Sequence, residues 1–415
     1  MILRWLISKT LREACALRKH VQRLLNAQRD LLSPAANQLI QGALSDLQGA
    51  IADRVKKKEL RKQMDKLEQV AGKWIRPYPH PVWRENVEVL LVALAVAMGI
   101  RTFFLQPFKI PTGSMQPTLY GVTSANLAGD KTFQIPSGWA RVKDWFHGTS
   151  YVHVVAQADG TLTDISPMQH FLIFNIKQSL WIGGVEHTMW FPPDYGEQGL
   201  ASRAGLFPGA VFHKGDDVVK LQVNAGDHLF VDRLTYNFRK PARGEIVVFE
   251  TAGIPRDKRE SLNPPIPADQ FYIKRLVGLG GETISLKQDY EVTNVLTFGG
   301  ATVPVGHLVV NGQPLSASTP HFENLYSFPG APEGTRTLKY QDQHYFGHAM
   351  VRALAPGQQF QIQPDHYFVM GDNTFNSSDS RYWGDFQASS VIGKSFFVYW
   401  PLTKRFGVGH TITAQ

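Results

Sequence analysis

Apolar residues recur at helical spacing through the first part of the chain. Over residues 1–31 and 36–73, Leu, Ile and Val repeat at intervals of about three to four positions with Lys and Arg between them, which predicts two helices. The segment Leu32–Asn37 predicts the turn between them, with Ser33 as N-cap and Pro34 in the first helical position. We therefore expect an N-terminal helical hairpin.

One later stretch is apolar enough to cross a membrane. Residues 87–107 contain an uncharged run from Val89 to Ile100 that is only 12 residues long, a length that also suits a buried helix. Glu88 and Arg101 lie near its ends, where Arg can extend its charge towards the membrane surface. We predict a transmembrane helix over residues 87–107, although hydropathy alone leaves a buried helix open.

Beyond Pro107 the pattern changes to short apolar runs separated by Gly, Pro, Asn and Asp. Runs such as Glu245–Phe249, Phe271–Val277 and Tyr367–Met370 are typical of β-strands. The supply of Gly, Pro and aromatic residues also favours β structure with many turns. At 415 residues the chain is too long for one small core, so we expect two or three structural units.

The net charge of +8 is confined to the N-terminal part. Residues 1–86 hold 17 Lys and Arg against 8 Asp and Glu, whereas residues 87–415 hold 26 against 27. A nucleic-acid enzyme usually carries positive charge on its working domain, so we expect no nucleic-acid partner. Basic segments beside a span lie on the cytoplasmic side, which predicts a cytoplasmic arm over residues 1–80; an arm lying on anionic lipid is the alternative.

A serine in an unusual loop is the first candidate for chemistry. Ser114 follows Pro111, Thr112 and Gly113, so the loop combines a stiff approach with a permissive backbone. A nucleophile must be held in this way, and the Ser114 N–H and the Thr112 hydroxyl could face a developing oxyanion. Taken alone, the motif fits an ordinary structural turn better.

A lysine in a predicted strand is the candidate base. In the segment Phe271–Val277, Tyr272, Lys274 and Leu276 share one face of the strand. An inward-facing lysine is desolvated, which favours its neutral form and could lower its pKa from about 10.4 by up to about 3–5 units. A surface lysine on an edge strand is the alternative that this one strand leaves open.

A third segment, Gly371–Gly384, is dense in Asp, Asn and Ser. Such a loop could position a lysine ammonium through a serine hydroxyl, or it could be a structural or calcium-binding loop. Its spacing does not match an EF-hand. The single cysteine, Cys15, allows neither an internal disulfide nor a cysteine cluster for zinc.

These motifs, in this order, resemble those of bacterial type I signal peptidases. The matching segments are Ser114–Leu119, Gly226–Arg233, Arg243–Phe249 with Tyr272–Arg275, and Gly371–Asn373 with Ser377–Arg381. The resemblance covers the predicted span and roughly residues 105–121, 225–287 and 362–402, under half of the chain. Thr374 stands where the family usually has Arg, and Glu245 where it usually has Asp.

The resemblance implies a role for each matching residue. Ser114 would be the nucleophile and Lys274 the general base, with Ser377 orienting the lysine. The Thr112 hydroxyl and the Ser114 N–H would form the oxyanion hole. Asp379 and Arg381 would form an ion pair that holds the last loop. The residues expected to line shallow pockets for small substrate side chains are Ile110, Met115, Leu119, Tyr272 and Ile273.

It also implies a mainly β fold: a signal-peptidase-like catalytic β domain with inserted β modules, preceded by the helical hairpin and the transmembrane helix. The catalytic region would span residues 108–402, with its core in residues 108–121, 225–287 and 362–402. The remaining parts would be an insertion over residues 122–224, a variable β domain over residues 288–361 and a C-terminal tail over residues 403–415.

The expected function is that of a membrane-bound serine endopeptidase. It would cleave signal peptides after small residues, on the outer side of the cytoplasmic (inner) membrane, as a single-pass protein without a metal or cofactor. Its partners would be preproteins, the lipid bilayer and the secretion machinery. A self-cleaving repressor-type protease is disfavoured because it would need a DNA-binding module. A catalytically silent, membrane-anchored binding or scaffolding paralogue is the alternative.

Overall fold

The computed structural model describes residues 8–53, 55–76, 81–172, 174–326, 337–339 and 347–408. The chain divides into two compact units, Met1–Val96 and Ala97–Gln415.

The first unit is helical. Its first three helices are α1 (Lys9–Gln28), α2 (Pro34–Ala52) and α3 (Lys57–Trp74). The start of α2 is as predicted: Ser33 Oγ accepts a hydrogen bond of 3.3 Å from the Ala36 N–H, and Pro34 occupies the first turn. The buried side chains of the three helices form one core, made mainly by Ala14, Val21, Leu25, Ile40, Leu44, Leu47, Leu60 and Leu67.

The prediction of one helix over residues 36–73 was wrong, because the chain breaks between Ala52 and Lys57. One continuous helix of that length would extend for roughly 57 Å. Its apolar residues could not then meet around a common centre. The break lets Leu47 of α2 and Leu67 of α3 enter the same core. No Gly or Pro marks the break, so the tertiary packing decides it.

Helix α4 (Pro81–Phe103) is the apolar helix. Among the described residues it is the one helix long and apolar enough to cross a membrane. The span covers Val82–Phe103 and contains an 18-residue stretch of mean hydropathy 1.7, none of which is buried. At 1.5 Å per residue it is about 34 Å long, which matches a hydrocarbon core of about 30 Å. The predicted end at residue 107 was wrong, since Leu105–Lys109 forms a β-strand.

The second unit is mainly β, and an eight-stranded antiparallel sheet holds the candidate site. Its strands, in spatial order, are β1 (Leu105–Lys109), β10 (His228–Asp232), β21 (Val391–Trp400), β11 (Ile246–Glu250), β12 (Phe271–Leu279), β19 (His366–Met370) and β20 (Phe386–Gln387), with β22 (Gly407–Val408) beside β21. Residues of β11 alternate between the two faces: Ile246 and Val248 enter one core cluster, Val247 and Phe249 the other. The sheet is therefore covered on both sides.

A six-stranded sheet follows β12. It comprises β13 (Thr283–Val295), β14 (Ala301–Val310), β15 (Gln313–Pro314), β16 (Thr337–Lys339), β17 (His348–Ala349) and β18 (Gln359–Gln361). The long pair β13 and β14 forms its centre. This sheet starts at Thr283, inside the region 225–287 that the sequence assigned to the catalytic core, so that boundary was placed too late.

Residues 122–224 form two further sheets. The first contains β2 (Thr123–Asn126), β9 (Asp217–Asn224) and β3 (Thr149–Val155). The second contains β4 (Gly160–Ile165), β5 (Gln169–Phe171), β6 (Phe174–Ile182), β7 (Val185–Trp190) and β8 (Val211–Phe212). The helices α5 (Gly138–Phe146) and α6 (Gly199–Ala204) belong to the same region. Apart from α5, β2 and β5, these elements contribute to one core, whose members include Val122, Leu180, Tyr195, Leu200 and Val219.

Three short helices, α7 (Arg256–Glu260), α8 (Glu323–Tyr326) and α9 (Ser380–Trp383), complete the second unit in the described part of the chain.

The end of the chain is partly anchored to the main sheet. Arg405 forms a two-point ion pair with Asp227, with Nε at 2.8 Å from Oδ2 and Nη2 at 2.9 Å from Oδ1. Asp227 is fully buried, and its carboxylate also accepts a hydrogen bond from the Tyr120 N–H. The predicted tail from residue 403 was therefore placed too early. Residues 409–415 lie outside the described residues.

Candidate active site

The loop that carries Ser114 leaves the end of β1 and returns through buried residues. Met115 and Leu119 are fully buried, and Leu119 N–H donates to Met115 O at 3.0 Å. This packing fixes the turn on which Ser114 lies. Ser114 itself is 4% exposed, so its hydroxyl faces the interior of the site and not open solvent.

Lys274 lies on β12, opposite Val247 of β11. Its Nζ donates to Ser114 Oγ at 2.8 Å and to the carbonyl oxygen of Ile273 at 3.1 Å. The side chain is 5% exposed, and Nζ lies 5.2 Å from the centre of the Tyr272 ring. The structure thus brings together the two residues that the sequence placed 160 positions apart.

Burial is the main influence on the charge of Lys274. It lowers the pKa of the lysine from its ordinary value to about 8, because the ammonium form loses its hydration. The carboxylates of Asp379, Glu197 and Asp372 oppose this shift, and the Arg381 guanidinium adds to it. At neutral pH roughly a tenth of such a lysine is uncharged, and the neutral form has a lone pair for a proton.

Thr112 lies beside the serine. Its Oγ1 is 3.4 Å from Ser114 Oγ, so the hydroxyl is next to the atom that would attack a substrate. Among the described residues, the Ser114 backbone N–H has no protein acceptor. Both groups are therefore available as donors at the same place.

The segment after β19 holds the serine loop from the other side. Asn373 N–H donates to Ser114 O at 3.0 Å, and Asn373 Nδ2 donates to Gly113 O at 3.0 Å. A Cβ atom on Gly371 would lie 2.5 Å from Ser114 O and 2.2 Å from Ser377 Oγ. Only glycine fits at position 371, and Ser377 Oγ must therefore lie close to the serine loop.

The predicted contact between Ser377 and Lys274 is not formed in this structure. Ser377 Oγ is buried and has no hydrogen-bond partner of good geometry among the described residues. It lies near the Asp379 carboxylate, and helps to lower the pKa of that group after Arg381 and the Gly371 N–H.

Asp379 and Arg381 form the expected ion pair. Arg381 Nε donates to Asp379 Oδ1 at 2.8 Å and Nη2 to Oδ2 at 2.7 Å, and both residues are fully buried. Arg381 Nη1 also donates to Thr374 Oγ1 at 2.8 Å, and that oxygen accepts from the Ala349 N–H at 2.6 Å. Thr374 thus links the last loop to the six-stranded sheet.

A second buried ion pair, between Arg275 and Asp372, was not predicted from the sequence. Arg275 Nε donates to Asp372 Oδ1 at 2.7 Å, and Thr118 Oγ1 donates to Asp372 Oδ2 at 2.5 Å. Arg275 Nη1 reaches Gly244 O at 2.7 Å. The available signal was the position of Arg275 and Asp372 inside two of the matched motifs. Together these contacts join the serine, lysine and last-loop segments.

The residues predicted to line the substrate pockets divide into two groups. Ile110, Met115 and Leu119 are 2% exposed or less and pack in the core beside the sheet. Their contact with substrate stays a prediction. Tyr272 and Ile273 are partly exposed on β12, next to Lys274.

The insertion reaches the site, which the sequence analysis did not predict. A Cβ atom on Gly196 would lie 3.2 Å from Pro111 O, three residues before Ser114. Lys109 of β1 forms an ion pair with Asp194. Residues 194–197 therefore lie against the segment that leads to the serine. Among the described residues, no group of three or more His, Cys, Asp or Glu side chains could hold a metal ion.

Comparison with known proteins gives the family. The family model described as "Signal peptidase, peptidase S26" matches residues 83–126 and 217–400, which together make up more than half of the chain. The chain belongs to this family. The unmatched gap falls within the insertion that the structure describes as two separate sheets.

Relatives match a smaller part of the chain. A protein named signal peptidase I from Leptolyngbya laminosa is 27% identical over 184 residues, which cover 44% of this chain and 64% of the relative. A probable signal peptidase I-2 from Synechocystis is 29% identical over 184 residues, covering 44% and 59%. The match thus spans less than two thirds of these two relatives.

A crystal structure of a signal peptidase I from Enterococcus faecalis is 23% identical and covers 38% of this chain and 97% of that one, with a TM-score of 0.20.

Proposed function

We propose that this chain is a membrane-bound serine endopeptidase that removes signal peptides from exported preproteins. Ser114 is its nucleophile and neutral Lys274 its general base. One observation carries the proposal: the Nζ atom of a buried lysine, with a pKa lowered to about 8, lies 2.8 Å from the Ser114 hydroxyl. The family supplies the substrate class.

The first half of the reaction forms an acyl-enzyme. Neutral Lys274 takes the Ser114 proton while Oγ attacks the carbonyl carbon of the scissile peptide. The carbonyl oxygen becomes an oxyanion and accepts hydrogen bonds from the Ser114 N–H and the Thr112 hydroxyl. The C–N bond then breaks, and the Lys274 ammonium gives its proton to the leaving amine.

The second half regenerates the serine. Lys274, neutral again, takes a proton from water, whose oxygen attacks the ester carbonyl. The oxyanion of this second tetrahedral intermediate again accepts hydrogen bonds from the Ser114 N–H and the Thr112 hydroxyl. The Lys274 ammonium then returns the proton to Ser114 Oγ as the ester bond breaks. We propose that the Ser377 hydroxyl accepts a hydrogen bond from the ammonium at this stage. Its oxygen is buried, lacks a good partner, and lies near the serine loop.

Substrate binds beside the serine as an added strand along the backbone of the Ile110 segment, with Tyr272 and Ile273 next to the residues that precede the cut. Small residues fit there because the surrounding side chains are closely packed.

Membrane attachment is through α4. Its length and hydropathy suit one crossing, and the positive charge precedes it in the chain. We therefore place the basic arm in the cytoplasm and the second unit on the outer side of the cytoplasmic membrane. Preproteins delivered by the secretion machinery would meet the site there.

Cleavage of a preprotein by the purified full chain in detergent tests the proposal. The wild type should produce one new N-terminus after a small residue, identified by mass spectrometry, and Ser114→Ala should not. Ser318→Ala, at an exposed turn serine, is the matched control and should cleave as the wild type does. A folded wild type that cleaves nothing would favour the silent binding or scaffolding paralogue.

A further inference from the structure

The insertion packs against the segment that leads to Ser114. Gly196 follows β7 in a left-handed backbone conformation, with φ of 67°. A Cβ atom there would lie 3.1 Å from the Val122 side chain and 3.2 Å from Pro111 O. The Val122 N–H donates to the same Pro111 oxygen at 3.3 Å. The chain at Gly196 therefore packs directly on the backbone that leads to the serine.

Charged contacts fix this part of the insertion. Asp194 pairs with Lys109 of β1, and its Oδ1 accepts from the Gly196 N–H at 2.7 Å. Arg203 of α6 donates to Tyr195 O, and its Nη2 donates to Val122 O at 3.0 Å. Because Tyr195 is also buried, the position of the next residues is set by packing on both sides.

Glu197 is the acidic residue of this segment that stays unpaired. Its side chain is exposed, and among the described residues it forms no ion pair, whereas Asp194 is paired with Lys109. Burial raises the pKa of Tyr272, and the Glu197 carboxylate raises it further; the same carboxylate favours the ammonium form of Lys274, which shares a face of β12 with Tyr272. The insertion therefore holds an unpaired carboxylate next to the residue that packs on the approach to the serine.

We infer that Glu197 is a specificity-determining residue that favours substrates with a Lys or Arg shortly before the cut. The inference rests on the proposed endopeptidase function and adds a charge preference to it. The side before the cut follows from Tyr272, which the proposed binding mode places there. The other carboxylates near Lys274, Asp379 and Asp372, are buried and paired with arginines, so they cannot bind a substrate cation.

A peptide series tests the preference with the full chain in detergent micelles. Each peptide carries the same cleavage site, with Lys, Gln or Glu placed singly at successive positions on either side of the cut. For the wild type we expect kcat/KM to be about 2- to 5-fold higher with Lys than with Glu at one or two of the tested positions that precede the cut. This is the range that an exposed ion pair supplies. Glu197→Gln should remove the difference, and Glu197→Lys should reverse it.

Asp164→Asn is the matched control. Asp164 is another exposed carboxylate of the insertion, on β4, and an Asn at this position retains the oxygen that accepts from the Ile165 N–H. It should leave the preference unchanged. A wild type that cleaves all peptides equally, or that discriminates only after the cut, would overturn the inference and leave the proposed function intact. A wild type that cleaves no peptide would contradict the proposed function itself.

The pH profile gives an independent reading on Glu197. Lys274 is faced by Ser114, Tyr272, Asp379, Asp372 and Arg381 as well as by Glu197. Since the Glu197 carboxylate favours the ammonium form, Glu197→Gln should move the midpoint of kcat/KM for the neutral Gln peptide to lower pH. A midpoint that stays at the wild-type pH would show that Glu197 does not face the dyad, and would also overturn the inference.

Discussion

Arg275 and Asp372 form a buried ion pair directly behind the candidate dyad. Arg275 Nε lies 2.7 Å from Asp372 Oδ1, and the two side chains are 5% and 0% exposed. Arg275 follows Lys274 in β12, and Asp372 precedes Asn373, which holds the serine loop. The pair therefore connects the strand of the base with the loop of the nucleophile.

Breaking this pair should unfold the site. Asp372→Asn leaves the Arg275 guanidinium buried with a neutral partner, a change that typically costs about 3–5 kcal/mol. We expect a large drop in the thermal midpoint of the second unit and loss of cleavage with it. Replacing both residues together, by Arg275→Met with Asp372→Leu, should be less harmful than Asp372→Asn alone. If the double variant loses as much stability as Arg275→Met and Asp372→Leu lose when measured singly and added together, this account is contradicted.

The dyad was predicted from the resemblance of several short motifs taken together, since each motif alone fitted a structural alternative at least as well. Ser114 is marked by its Pro and Gly neighbours, and Lys274 by its place on an alternating strand. The pairing of Arg275 with Asp372 could not be predicted in this way, since the two residues are 97 positions apart and many acidic residues lay within the same range of the sequence. Only the register of β12 against β19 brings them together.

The ends of helices are also set partly by tertiary packing, which the local sequence does not reveal. The sequence predicted one helix where α2 and α3 form two, because the shared core decides the break and no local residue does. The position of the insertion was also beyond prediction. Its contact at Pro111 depends on the backbone of Gly196 and on Arg203, whose partners lie about 80 residues earlier in the chain.

Thr112 should act as a donor to the oxyanion. Thr112→Val keeps the shape of the side chain and removes its hydroxyl, which lies 3.4 Å from Ser114 Oγ. We expect kcat to fall by roughly 10²–10³-fold, about 2.7–4 kcal/mol, with little change in KM. Thr112→Ser keeps the donor and is the matched control. If Val and Ser variants turn over peptide equally, the second donor of the oxyanion hole lies elsewhere.

Ser114 and Lys274 should behave as one catalytic unit. Ser114→Ala and Lys274→Ala should each remove nearly all cleavage, and the double variant should be hardly worse than either. The reason is that the lysine has no proton to take once the hydroxyl is gone. Residual kcat/KM of the three variants is the measurement, with circular dichroism as the control for folding. Losses that multiply in the double variant would separate the two residues into independent roles.

Burying Lys274 should cost stability at neutral pH. Its folded pKa of about 8 lies below the value of about 10.4 in the unfolded chain, so the unfolded state binds more protons between these values. The contribution of Lys274 to the stability of the wild type should therefore rise by roughly 3 kcal/mol as pH increases from 8 to 10.4. Lys274→Met lacks this contribution. Its thermal midpoint should therefore exceed that of the wild type by a large margin at pH 7 and by a small margin near pH 10.5. An advantage that is the same at both pH values would show that the lysine is not desolvated.

The pH dependence of kcat/KM tests the central claim that buried, neutral Lys274 activates Ser114. A peptide without titrating side chains should be used, with single-turnover kinetics to establish that chemistry limits the rate. The account predicts activity that rises with pH to a plateau, with a midpoint near the Lys274 pKa of about 8, because the base is active only after it loses its proton. A midpoint near the free-lysine value of about 10.4, or a rate that does not change between about pH 6 and 9, would contradict it.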